Sequence, residues 1–508
     1  MPKLSHLSRS SILIASFFLL DKVLAFIKSI LFTNIVGLEG MGIFGASNNI
    51  PDYLSALLSG GALGMAFIPV LREYLNQRGQ QEAWELFSRI VNLAFIITGI
   101  LSIVIIAFAE PLVRFVIVPH FSPEKQELTT SLMRIDLIAI LIFSISGLVM
   151  SGLQAHKHFL LPAMAPIFYN LGQIFGVTIL TPSEGFQIGS LTLPAFNLGL
   201  YGIVYGVIIG AALHLLIQVP GLIRYKYHWK PVIGIRNPAV RRVLNLLWPR
   251  VLTMACIQAY FVARDNLASR FGEAGVGALN LGWTIQQVPE TMIGTAIAIA
   301  LLPTLAELVS GGKLDSFRET VNNALRVMLA LCLPAGVLLG IAIKPLLGVF
   351  FDFDTTQINL VTWCSWAFLL GLLGEAWLET AVRSYYANQN TRIPLVAAFA
   401  QVVTFIILAS LFSRWMGLPG IPLAASVAYT LQGVSLLILL QRNYPNLLTI
   451  KGTLLRSVCA AILGGGAAYL LIHLMPTSAL IGTIAGLVVG FLIALTFIWK
   501  EIRLLFRL

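Results

Sequence analysis

The stretch ILIASFFLLDKVLAFIKSILFTNI, residues 12–35, is long and apolar enough to cross a bilayer as a helix, yet it carries Asp21, Lys22 and Lys28. About twenty predominantly apolar residues suffice to span a hydrocarbon core. A charge within such a span costs roughly a few kcal/mol or more, so its presence marks a pathway, a hydrated cavity or a paired contact. A second stretch, residues 243–269, repeats the feature with Arg264 and Asp265. The functional question gathers on these helices.

The rest of the chain is of the same kind. Its 508 residues are 57% hydrophobic and 11% charged, with a mean hydropathy of +0.87, which excludes a soluble globular protein. A transmembrane barrel would show short alternating strands instead. Apolar runs at 12–35, 43–70, 87–109, 131–153, 160–180, 198–223, 243–269, 278–308, 322–343, 358–382, 393–413, 418–440, 454–475 and 478–499 predict an all-α integral membrane protein with 14 transmembrane helices. No separate soluble domain fits between them. The first run lacks a small-residue cleavage site and is expected to be retained as a helix rather than removed as a signal peptide.

Basic residues accumulate at cytoplasmic helix ends. The loop from Arg224 to Arg242 holds six Lys and Arg, whereas the opposite loops around Glu39, Glu184 and Met475 hold none. Both termini are therefore expected in the cytoplasm. The net charge of +11 is accounted for by a basic face beside anionic lipid and calls for no nucleic acid. Cys256, Cys332, Cys364 and Cys459 fall in apolar runs without a close pair, so neither a disulfide framework nor a metal site is expected.

Three echoes suggest a duplication. AFIPVLREY around Pro69 matches ALLPTLAEL around Pro303, QAHKHFLLP ending at Pro162 matches ANQNTRIP ending at Pro394, and GLYGI at Gly199 matches GLPGI at Gly417, with offsets of 234, 232 and 218 residues. They predict two pseudo-symmetric six-helix bundles, residues 1–224 and 225–442, followed by two additional helices in 443–508. Repeats separated by an even number of spans are parallel, related by an axis along the membrane normal, and such halves can rock about a central site.

The polar residues concentrate in corresponding spans of the two repeats. On a helix Asp21, Lys22 and Lys28 share one broad face. The second span adds Asn49 and Asp52 beside Pro51, the seventh Gln258, Arg264 and Asp265, and the eighth Gln286, Gln287 and Glu290 beside Pro289. Their convergence would line a hydrated cavity between the halves, although mutual neutralisation of these charges is the competing structural reading. In the tenth span Glu379 and Arg383 stand at the i, i+4 spacing of a salt bridge, which leaves Glu375 as the candidate for ion or proton coupling. His214 reads as a hydrogen-bonded single histidine. Glycines four apart, at Gly202, Gly206 and Gly210, read as close helix packing. No phosphate-cradling loop, HExxH motif or nucleophile elbow is present, so no catalytic residue, cofactor or enzymatic activity is expected.

KVLAFIKS from Lys22, IPDYLSALLSGGALGMAFIPVLREY from Ile50, LPAMAPIFYNLGQI from Leu161 and VPETMIGTAIAIALLPTLAEL from Val288 make the chain resemble the lipid II flippase family, MurJ or MviN, of the multidrug, oligosaccharidyl-lipid and polysaccharide exporter superfamily. The resemblance implies movement of an undecaprenyl-pyrophosphate-linked peptidoglycan precursor across the bacterial inner membrane by alternating access. It also implies a cationic central cavity for the pyrophosphate and a hydrophobic groove near the last two spans for the lipid tail. The family's basic positions in the first span match Lys22 and Lys28, lysines where arginine is usual. Ser29, Gly42, Gly60 and Thr284 depart from the family pattern, and Ser55 and Ala56 occupy a region where it has arginine.

On this reading Lys22, Lys28 and Arg264 hold the pyrophosphate, while Asp21, Asn49, Asp52, Asp265, Gln286 and Glu290 balance and gate the cavity. Expected partners are the lipid-linked glycan, membrane lipids and cell-wall synthesis proteins, with a monomer as the transport unit. The alternatives are an exporter of another lipid-linked oligosaccharide, a drug or cation antiporter, or a transport-inactive scaffold for cell-wall enzymes.

Overall fold

The computed structural model describes residues 6–58, 62–185, 187–188, 191–445, 447–474 and 479–505. Gly60 and Met475 lie outside these. The chain divides into two compact units, Met1–Ala274 and Gly275–Leu508.

The first unit contains α1 (His6–Leu58), α2 (Ala62–Gln77), α3 (Gln80–Pro111), α4 (Pro123–Ala155), α5 (Leu160–Phe175), α6 (Leu200–Leu216), α7 (Val219–Arg224) and α8 (Pro238–Ala268). A short antiparallel ladder, Gln187–Ile188 against Leu191–Thr192, precedes α6. From α9 (Gly272–Pro289) the chain passes into the second unit, with α10 (Ala296–Ser310), α11 (Leu314–Phe350), α12 (Thr355–Leu369), α13 (Leu372–Ala387), α14 (Arg392–Met416), α15 (Gly420–Asn443), α16 (Lys451–Leu474) and α17 (Ala479–Leu505).

The protein is all-helical and membrane-spanning. Eleven of its described helical stretches are long and apolar enough to cross a bilayer, or twelve when α12 and α13, bent by 41° at their junction, are taken as one. Two of these stretches, Leu20–Ala56 and Val251–Ser310, run through four of the runs anticipated from hydropathy. Gly37 (φ 65°) interrupts the helical geometry of α1. That left-handed backbone suits glycine, which has no Cβ to clash. Many large apolar side chains are exposed, among them Ile103, Phe108 and Phe115 in the first unit and Leu455, Ile462 and Leu470 along α16. Such a surface suits lipid rather than water.

Within the first unit α4 is the hub, packed by α1, α2, α3 and α6, while α5 pairs with α6. That last pairing is backbone to backbone: a Cβ added at Gly172 would lie 2.4 Å from Gly210 Cα, and one at Gly206 2.7 Å from Gly176 Cα. In the second unit α13 has the corresponding role, packed by α10, α11 and α15, and α14 pairs with α15. The sequence echoes carry matching backbone features. Lys157 and Gln389, 232 residues apart, both adopt positive φ (60° and 56°), as do Gly199 and Gly417 (55° and 69°). Pro69 and Pro303 both sit inside helices, α2 and α10.

Helices α16 and α17 pack on each other and on α11. A polar clasp joins the three. The fully buried Glu501 of α17 accepts hydrogen bonds from Arg456 and, at 3.0 Å, from Thr453 of α16, and Arg326 of α11 lies 3.4 Å away.

Candidate functional site

In the first unit, the charges of the first span are met by amides of α5. Asp21 is buried and accepts a 2.8 Å hydrogen bond from Asn170 Nδ2. Lys28 Nζ donates to Gln173 Oε1 at 2.8 Å, and Gln173 Nε2 donates in turn to the Tyr169 hydroxyl at 3.1 Å. Asn170 and Gln173 stand three residues apart, so one face of α5 meets both charges. Lys22 behaves differently: its side chain is 80% exposed and its ammonium lies 3.9 Å from Asp21 Oδ2. Asp52, just after Pro51 in the second half of α1, is solvent-accessible and lies within electrostatic range of Lys28.

A second polar group forms where α1 meets α8. Arg264 is only 3% exposed, and its Nε and Nη2 approach Asp265 Oδ1 at 2.8 and 2.7 Å. Asp265 Oδ2 accepts from Asn49 Nδ2 at 2.7 Å, and Gln258 donates to the Asn49 carbonyl and side-chain oxygens at 2.5 and 3.1 Å. The Arg264 guanidinium also lies over the Phe261 ring, 5.0 Å from its centroid. Burial is tolerated because the guanidinium meets a carboxylate along two of its donors and a ring along its face. Lys28 thus belongs to the group built by α1 and α5, Arg264 to the group built by α1 and α8, and Lys22 is exposed. Asn49 belongs to the second group, and Asp52 follows it by three residues on α1.

In the second unit, Gln286 Nε2 donates to Glu375 Oε2 at 2.7 Å and Gln287 Nε2 to Glu375 Oε1 at 3.3 Å. Glu290 is buried and opens a π-helical turn, Glu290–Thr295, inside which Thr295 Oγ1 donates to its two oxygens at 3.1 and 3.0 Å. Gly294 allows this turn to press on α13, since a Cβ there would come 3.0 Å from Ala376 Cα. Glu379 and Arg383 form the anticipated salt bridge at 2.8 Å. His214 is hydrogen-bonded as anticipated, its Nδ1 lying 2.6 Å from Ser146 Oγ.

Sequence reasoning passed over Asn170, Gln173, Tyr169 and Asp136. The two amides could have been found from their i, i+3 spacing in an otherwise apolar run. Asp136 of α4 is 3% exposed, and its Oδ1 has no hydrogen-bond partner among the described residues. The second unit also holds an apolar cavity of about 990 Å³ between α11, α12, α13 and α16, its walls including Val337, Trp366, Leu373 and Tyr469, with Lys344 and His473 as polar liners.

The family model described as lipid II flippase MurJ matches residues 32–490. The chain belongs to the lipid II flippase MurJ family. This MurJ-family chain is 26% identical over 449 residues to the lipid II flippase MurJ of Burkholderia cenocepacia, covering 86% of this chain and 84% of that protein. With the probable lipid II flippase MurJ of Bdellovibrio bacteriovorus it shares 25% identity over 463 residues, covering 90% and 86% of the two chains. A solved structure of a lipid II flippase MurJ in an inward closed conformation superposes with a TM-score of 0.77 at 22% identity, covering 97% of this chain and 100% of the other. An inward-facing multidrug resistance MATE transporter of the MOP superfamily reaches a TM-score of 0.71 at 14% identity, covering 84% and 95%. These likenesses establish a fold shared by MurJ and MATE proteins. The MurJ family is one of transporters rather than enzymes, and its members are multi-pass proteins of the bacterial inner membrane.

Proposed function

We propose that this protein flips lipid II, the undecaprenyl-pyrophosphate-linked peptidoglycan precursor, from the inner to the outer leaflet of the inner membrane by alternating access. The observation that carries this reading is the family match over residues 32–490; just ahead of it stands Lys28, a lysine hydrogen-bonded inside a spanning helix. A diphosphate crossing a hydrocarbon core needs cationic, hydrated company, and lysine and arginine supply it. Lys22, Lys28 and Arg264 are the cations of the cradle, and Lys22 is the most accessible of them. Asp21, Asn49, Asp52 and Asp265 hold those cations when no substrate is bound. Gln286, Glu290 and Glu375 form the polar counterpart in the second unit, with Glu375 the candidate for ion or proton coupling. The apolar cavity beside α16 is a fitting place for part of the polyprenyl tail.

Fourteen spans result when Leu20–Ala56 and Val251–Ser310 are each divided at a left-handed glycine, Gly37 and Gly272, and α12 and α13 are joined. The second of those stretches has 60 residues, about 90 Å as one helix, against a core of about 30 Å. The matching backbone conformations at Lys157 and Gln389 and at Gly199 and Gly417 support two parallel six-helix repeats, 1–224 and 225–442, with 443–508 as the appended pair. Both termini then lie in the cytoplasm. A monomer is the proposed transport unit, with cell-wall synthesis proteins as partners at the basic loops.

Complementation tests the function. The wild-type chain should restore growth and externally exposed lipid II to a strain depleted of its own flippase. The double variant Lys28→Ala, Arg264→Ala, compared with wild type at matched membrane levels, should expose none. Undiminished exposure in that variant would eliminate the cation cradle.

A further inference from the structure

The chain between α7 and α8, residues 225–237, exposes large apolar side chains beside cations. Trp229, Ile233 and Ile235 are 61%, 55% and 56% exposed, and Ile223, at the end of α7, is 71% exposed. The segment has no acid, and of its cations Lys226, Lys230 and Arg236 only Lys230 forms a salt bridge among the described residues. A loop surrounded by water gains nothing by exposing four such apolar side chains. Nor is the exposure a product of fraying, because α3 fixes the segment in place. Trp229 Nε1 donates to Asn92 Oδ1 at 2.8 Å, and Asn92 Nδ2 donates to the Lys230 and Val232 carbonyls at 2.8 and 3.0 Å. Gly234 lies so close to α3 that an added Cβ would be 2.7 Å from Arg89 Nη1.

Two further features adjoin the segment. Arg89 and Lys230 both approach Glu85, each at 2.8 Å, so two cations share one acid and one positive charge is left over. Trp229 and Asn92 also border an apolar cavity of about 440 Å³ between α3, α4 and the end of α6, with Phe87, Phe95, Val149 and Leu215 among its walls. Helices α3, α4 and α6 all belong to stretches long and apolar enough to cross a bilayer, and Phe95 is 44% exposed. An apolar recess between spanning helices, bordered by a tryptophan and surplus cations, complements a molecule that has an acyl chain and an anionic headgroup.

We propose that residues 225–237 and this cavity form a seat for an anionic phospholipid of the adjoining leaflet, with one acyl chain entering the cavity beside Trp229 and the phosphate among Lys226, Lys230 and Arg236. Trp229, Ile233 and Ile235 enter the interfacial region around that lipid. The backbone is equipped for such a place, since the Tyr225, Lys230 and Val232 carbonyls accept hydrogen bonds from Trp84 and Asn92 and need less water. The seat is separate from the cradle around Lys28 and Arg264, and it holds a resident lipid rather than the transported one.

Fluorescence quenching in nanodiscs tests the seat with no transport substrate present. The full-length chain is reconstituted in mixed phosphatidylglycerol and phosphatidylcholine bilayers in which one lipid or the other carries dibrominated acyl chains at the same mole fraction. The contribution of Trp229 is the difference between the wild type and Trp229→Phe. Brominated phosphatidylglycerol should quench that contribution roughly twofold more than brominated phosphatidylcholine does. The variant Lys226→Gln, Arg236→Gln, which leaves the contacts of Asn92, Trp84 and Glu85 in place, should be quenched equally by the two lipids when measured against its own Trp229→Phe counterpart. Equal quenching of the wild type by both lipids overturns the anionic seat, as does a preference that survives in the charge-neutralised variant. Quenching by neither lipid also overturns it and leaves the segment as a surface for a protein partner. The flippase reading stands or falls separately, by complementation.

Discussion

Arg264 and Asp265 show what burial does to adjacent charges. With exposures of 3% and 1%, each draws the main compensation for its burial from the other. Removing one partner of a buried pair typically costs about 3–5 kcal/mol, whereas replacing both with apolar groups is often nearly neutral. Asp265→Ala should therefore lower the thermal unfolding midpoint sharply. The double variant Arg264→Leu, Asp265→Leu should recover most of that midpoint while still failing to expose lipid II, as measured by nanodisc melting and by the complementation assay. Equal melting of Asp265→Ala and wild type would mean that the pair carries no stability. The charges of the first and seventh spans were legible from sequence because an ionised side chain stands out in an apolar run. Asp136 was not, because a single acid in a span announces neither a partner nor a purpose. Asn170 and Gln173 were missed for a related reason: neutral amides barely disturb hydropathy, although they are what Asp21 and Lys28 touch.

Among the elements, the loop after α7 departs most from expectation based on composition. Six basic residues suggest a solvated strand of chain, yet α3 grips this loop: Gln80 and Trp84 donate to the Tyr225 carbonyl at 2.6 and 2.9 Å, and Asn92 donates to the Lys230 carbonyl at 2.8 Å. His156, just past the end of α4, stacks on Trp84 with ring centroids 4.5 Å apart and lies 4.8 Å from Tyr225. Burial holds the His156 imidazole below its ordinary pKa, and burial together with the nearby Arg224 does the same to His158. The docked loop therefore favours neutral histidines. Its stability is full above the ordinary histidine pKa of about 6.5 and is lost as the pH falls from there through the depressed values, because the released state binds the proton more readily. Limited proteolysis within 225–237 should accelerate between pH 7.5 and pH 5, roughly spanning that window. The variant His156→Phe, His158→Phe should cleave at a rate independent of pH. The glycines spaced four apart were easier to read, since close approach of α5 and α6 is what such spacing permits.

For the whole molecule, helical class and membrane residence followed from composition alone, and the echoes around Pro69 and Pro303 both fall in helices that contain the proline. Counting crossings was harder, because hydropathy marks apolar length but not where a glycine breaks a helix, as Gly37 does. Orientation is open to a direct check. In a chain freed of Cys256, Cys332, Cys364 and Cys459, a cysteine at Ser183→Cys should react with an impermeant maleimide added outside spheroplasts. One at Arg236→Cys should react only in inverted vesicles; the opposite pattern would place both termini outside.

The clasp around Glu501 bears on how the end of the chain behaves. Arg326 and Arg456, from two different helices, converge on one fully buried acid, so detaching the terminal hairpin from α11 would strip that acid of its Arg326 partner. The hairpin is consequently no loose tail but ballast bolted to α11: whatever tilt α11 undergoes during turnover, α16 and α17 must undergo with it.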